Sequence, residues 1–129
     1  MPPAKRKILI VEDDAVLLDT LTLSFETEDF EVHIANNGEI GLEKFKSVKP
    51  DIILLDLLMP KVDGIEMLKQ LRQFEGNTAN KVPVIVLSNF DNHDKILKAI
   101  DAGATDYYIK SNLILAELVK KINWILNKE

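Results

Sequence analysis

A chain of 129 residues suits one domain, long enough to bury roughly two-thirds of its unfolded surface. Its composition, 47% hydrophobic and 29% charged, is that of an ordinary globular protein, and the lack of cysteine excludes disulfides, thiolate nucleophiles and cysteine metal sites. A net charge of -5 offers nothing to a nucleic-acid backbone, two histidines argue against zinc, and no apolar stretch approaches the ~20 residues needed to span a bilayer. The expectation is a cytoplasmic protein without nucleic-acid or membrane partners. MPPAKRK has basic residues but no apolar segment behind a cleavage site, so residues 1–6 read as a flexible, solvated end.

KILIV at 7–11 reads as the first strand, followed by Glu12, Asp13 and Asp14. Asp14 is placed to cap a helix whose apolar spacing is Val16, Leu17, Leu21 and Phe25. EVHIA at 31–35 is a weaker strand; Gly38 then opens a helix with Ile40, Leu42 and Phe45 on one side. DIILL at 51–55 is a fully apolar strand that runs into Asp56, and Gly64 opens a third helix marked by Ile65, Leu68 and Leu71. GNTAN at 76–80 is a loop, and VPVIVL at 82–87 a fourth strand ahead of Ser88 and Asn89. A helix carrying Ile96, Leu97 and Ile100 stops before Gly103. DYYI at 106–109 precedes Lys110, and Leu115, Leu118, Val119, Ile122 and Leu126 form the stripe of the last helix.

Strands apolar on both faces and alternating with helices belong to a parallel sheet covered on both sides, which predicts a doubly wound α/β fold. Ligands of such sheets bind beyond the carboxyl ends of the strands. The residues falling there are Glu12, Asp13, Asp56, Ser88 and Lys110. An ionised Asp56 behind Ile and Leu needs compensation, and three crowded carboxylates repel one another unless a hard cation such as Mg²⁺ joins them.

ILIVEDD, DIILLDLLMPKVDG, VIVLS and AGATDYYIK, in this order and spacing, resemble the receiver domain of bacterial two-component response regulators over about residues 6–127. The resemblance implies a single receiver domain over 1–129, flavodoxin-like, with a parallel sheet in order 2-1-3-4-5. It implies that Asp56 accepts a phosphoryl group from a sensor histidine kinase or a phosphotransfer protein. Glu12, Asp13, Asp56 and the Leu58 backbone carbonyl would hold Mg²⁺; Lys110 would pair with the phosphoryl oxygens and Ser88 would hydrogen-bond to them. Tyr107 matches the aromatic that turns inward in response. The domain would be regulatory rather than an enzyme, and its output would come from contacts made by the domain itself.

Two residues depart from the family pattern. Ser111 stands where a proline in a cis peptide usually follows the lysine, and Asn89 where a small residue is usual. Leu58 and Phe90, both apolar, occupy positions that flank the water path to the phosphorylated aspartate, which implies slow loss of phosphate. The alternative reading is a degenerate receiver that binds proteins without phosphorylation. A phosphohydrolase would want an Asp where Leu58 stands, and a flavin site would want a Gly- and Ser-rich loop where EDDAVLL stands. Trp124 falls roughly 180° from Leu115 on the last helix and is expected to be exposed. The resemblance implies that the face of fourth helix, fifth strand and fifth helix responds to phosphorylation, and Trp124 is expected to contribute there to contact with an output partner or to self-association.

Overall fold

The computed structural model describes residues 5–57, 63–78, 80–89 and 93–127. Strands and helices alternate: β1 (Lys7–Val11), α1 (Ala15–Thr27), β2 (Glu31–Ala35), α2 (Gly38–Val48), β3 (Ile52–Asp56), α3 (Gly64–Glu75), β4 (Val84–Ser88), α4 (His93–Asp101), β5 (Asp106–Ile109) and α5 (Leu115–Asn127). The five strands are parallel in the order β2-β1-β3-β4-β5, as the sequence pattern and the resemblance predict.

Alternation along each strand divides the core into two layers. Leu9, Val11, Ile53, Leu55, Val84 and Val86 face α2, α3 and α4; Ile8, Ile10, Ile52, Leu54, Ile85 and Leu87 face α1 and α5. Burial on both faces explains why β3 and β4 read as unbroken apolar runs.

Helix starts follow their caps. Asp14 accepts from the N–H groups of Val16 and Leu17, Asn37 from that of Ile40, and Asp63 from that of Glu66. Asp14 is the cap it was expected to be, and Gly38 and Gly64 each begin their helix one residue after such a cap.

Three apolar residues expected to pack do not. α1 turns Leu18, Leu21 and Phe25 inward, which leaves Val16 on the far side of the helix and 76% exposed. α4 packs through the small side chains of Ala99 and, just after it, Ala102, so Leu97 and Ile100 point outward. Trp124 is exposed as expected, at 55%, with the Lys121 ammonium 4.8 Å from its ring centroid. The chain leaves β5 through one 3₁₀ turn, Lys110–Asn112, and no described peptide bond is cis, Lys110–Ser111 included. Among the described residues no helix is long and apolar enough to cross a membrane.

Candidate functional site

Register brings the polar strand ends together. Val11 pairs with Leu55, so the next residues along, Glu12 and Asp56, end adjacent strands side by side. Both continue the alternation that turns Ile8, Ile10, Ile52 and Leu54 toward α1 and α5, and Lys110 does the same beyond Tyr108. Ser88 and Tyr107 continue the opposite alternation; Tyr107 is half-buried against the layer beneath α2, α3 and α4. Lys110 must therefore reach across β4 to meet the acids, which its long side chain does.

Its ammonium straddles the Glu12 carboxylate, 2.9 Å from each oxygen, and lies 3.4 Å from Asp56 Oδ2. Glu12 and Asp56 are both buried, while Asp13 is exposed. Burial works to lower the Lys110 pKa, but the hydrogen bond to Glu12 and the charges of Asp56 and Glu12 outweigh it, and the value stands above that of an ordinary lysine. The ammonium is thereby held in its charged form.

Glu12 is fixed from a second side. The N–H of Asp14 donates to its Oε1 at 3.1 Å, so the residue that caps α1 also orients the carboxylate two positions before it. Oε2 is buried and, although 2.9 Å from Lys110, has no well-directed hydrogen bond. One ligand atom from each of Glu12, Asp13 and Asp56 lies within 4.8 Å of the others. A buried oxygen with spare acceptor capacity in an all-carboxylate set suits a hard divalent ion that keeps several waters, so the residues fit Mg²⁺. The Leu58 carbonyl and Phe90 lie outside the described residues.

The remaining candidates surround this cluster. Ser88 is fully buried at the end of β4, in register with Ile109, the residue before Lys110; Asn89 beside it is exposed. One contributor was missed by sequence reasoning. A Cβ on Gly64 would sit 2.4 Å from the Asp56 carbonyl oxygen and 2.5 Å from Leu57 Cα, because the first turn of α3 lies directly against the end of β3, with the Gly64 N–H donating to Leu57 O. Nothing in the sequence beyond the DG pair at 63–64 marks that approach.

Residues 8–123 match the response regulator receiver domain family. The chain is 38% identical over 107 residues to the regulatory protein AtoC of Escherichia coli (strain K12), covering 83% of this chain and 22% of AtoC. It is 34% identical over 122 residues to the response regulator MprA of Mycobacterium ulcerans (strain Agy99), covering 95% of this chain and 50% of MprA. It thus spans half or less of the length of these relatives. The solved CheX-CheY-BeF3-Mg+2 complex from Borrelia burgdorferi contains a chain that superposes with a TM-score of 0.82 at 28% identity, over 93% of this chain and 88% of that one.

Proposed function

We propose, since this chain belongs to the response regulator receiver domain family, that it accepts a phosphoryl group on Asp56 and uses it to switch a protein-binding surface. The observation that carries the reading is the shared ammonium of Lys110, 2.9 Å from buried Glu12 and 3.4 Å from buried Asp56. An Asp56 oxygen attacks the phosphorus of a phosphohistidine on a sensor kinase or phosphotransfer protein, the phosphorus–nitrogen bond breaks, and its electron pair returns to the imidazole. Glu12, Asp13, Asp56 and the Leu58 carbonyl would hold Mg²⁺, which supplies charge neutralisation for the transferring group. Lys110 then pairs with a phosphoryl oxygen in place of part of its contact with the acids, and the Ser88 hydroxyl donates to another. Tyr107, on the same sheet face as Ser88, follows that hydroxyl inward and alters the surface of α4, β5 and α5.

Support comes from the family, which is regulatory, and from the Borrelia burgdorferi structure, a complex of CheX, CheY, BeF3 and Mg+2. We read the chain as one receiver domain acting in the cytoplasm. A degenerate receiver would be expected to have lost acceptor, metal ligands or lysine; all are present in workable type. Incubation with Mg²⁺ and acetyl phosphate or phosphoramidate should add a phosphoryl mass that Asp56→Asn abolishes. A wild type that gains no mass, or an Asp56→Asn variant that gains it equally, overturns the assignment.

A further inference from the structure

At the amino end of the sheet, one strand length from Asp56 and so roughly 15 Å away, the C-terminal ends of α2 and α3 diverge around a cleft of about 750 Å³. Its floor is apolar. Phe45 is buried and meets Phe74 edge to face, with ring centroids 5.9 Å apart, while Phe74 itself stays 60% exposed. The outer ring keeps most of its surface in water beside the Lys46 ammonium, which leaves an apolar landing surface.

The rim is basic, although the chain as a whole is acidic. Lys46, Lys49 and Lys81 are all exposed around the cleft, and the Lys46 ammonium lies 4.9 Å from the Phe74 centroid. The two acids in the wall are turned inward. Asp51 accepts from the backbone N–H of Lys7 at 2.7 Å; Glu75 pairs with Arg72 at 2.7 Å and accepts from the Val82 N–H at 2.8 Å. The charge left facing solvent is that of three lysines.

We propose that this cleft binds an acidic peptide segment that carries one bulky apolar side chain. The apolar side chain packs on Phe74, and flanking carboxylates meet the lysines. A compact polyanion such as phosphate or a nucleotide suits the cleft poorly. The helices turn their C-termini, the negative ends of their dipoles, toward it, and no guanidinium lines it: Arg72, behind the wall, is held by Gly103 O, Val82 O and Glu75. A peptide, in contrast, spreads its charge outward to the lysine tips, away from the helix ends. The proposal does not depend on phosphorylation of Asp56.

The test is titration of the ¹⁵N-labelled full chain with the blocked peptide DEFDDL. Saturable shifts are expected for the amides of residues 45–51 and 74–82 in the millimolar range or tighter. Phe74→Ser and the triple variant Lys46→Ser, Lys49→Ser, Lys81→Ser should each weaken binding about tenfold with melting temperatures close to wild type, and Asp56→Asn should bind as wild type does. The absence of saturable shifts, equal binding of KKFKKL or of DESDDS, or stronger shifts of the same amides by AMP or inorganic phosphate would each overturn the proposal. So would shifts that depend on protein concentration alone, which would assign the cleft to a second copy of the chain.

Discussion

Lys110→Met tests the electrostatic core of the site. At an effective dielectric near 20, the contacts at 2.9 and 3.4 Å correspond to gross attractions of roughly 6 and 5 kcal/mol. Most of that is offset by desolvation of the three groups. The relevant quantity is the cost of leaving Glu12 and Asp56 buried without their cation, about 3–5 kcal/mol for a buried pair. Because the lysine side chain keeps 15% of its exposure, the lower end applies. The expected loss is about 3 kcal/mol, or roughly 10 °C in melting temperature for a domain of this size.

The assay is urea unfolding followed by circular dichroism and Trp124 fluorescence, in EDTA and again in excess Mg²⁺. In EDTA the variant should show the full loss. Mg²⁺ should stabilise both proteins, since it binds the folded acids, and should stabilise the variant more, because there the acids have no competing ammonium. Lys121→Met is the internal control. Its partner Asp106 is 3.7 Å away and both are more than a third exposed, so losing that pair together with the contact to the Trp124 ring should cost no more than about 1 kcal/mol, read by circular dichroism. A Lys110→Met protein as stable as wild type in EDTA, or one that gains no more from Mg²⁺ than wild type does, would refute the reasoning.

Gly64→Ala should cost about 1–3 kcal/mol by overpacking against the β3 backbone and weaken Mg²⁺ binding as Asp56 shifts; wild-type stability and metal affinity would mean the approach is relaxed without effect. Tyr108 should ionise above the usual tyrosine range, because burial and then the charges of Asp106 and Glu117 disfavour the phenolate. Its contribution to stability is full below pH about 10 and fades as pH rises through the folded value, so Tyr108→Phe should flatten the alkaline limb of the stability profile. In a Leu58→Asn, Phe90→Glu double variant, phosphate should leave Asp56 faster than in wild type, measured by loss of the phosphoryl mass; equal or slower loss would count against apolar shielding. Association detected by sedimentation should strengthen with beryllofluoride in wild type and less in Trp124→Ala, and identical behaviour of the two would remove Trp124 from the interface.

The fold was legible because its elements announce themselves locally. ILIV, IILL and VIVL are too short and too β-branched for helices, and each ends on a polar residue where a parallel sheet presents its ligands. Which apolar residues pack was less legible. A 3.6-residue spacing marks Val16 and Leu97 as apolar without saying what covers them, and in the fold α1 and α4 turn other residues inward. Contacts made across strand order were least legible. That Lys110 passes over β4 to straddle Glu12 depends on the register of four strands, and that Phe74 shares a cleft with Lys49 and Lys81 depends on where two helices stop.

β3 shows why one end of a strand and not the other suits the responsive edge that we propose. The segment DIILLD has a carboxylate at each end. Asp51 is held at 2.7 Å by the N–H of Lys7, a backbone donor whose position is fixed by the β1–β3 pairing; changing that bond would require changing the sheet. Asp56 meets an ammonium at 3.4 Å on a flexible four-carbon stem, and that ammonium makes a shorter contact to Glu12 at 2.9 Å. A new negative group on Asp56 redistributes such a side chain between acceptors without disturbing any strand. The sheet supplies a rigid frame at both edges, but only the edge whose charges are balanced by a side chain shared among acids has a low-cost second arrangement to adopt.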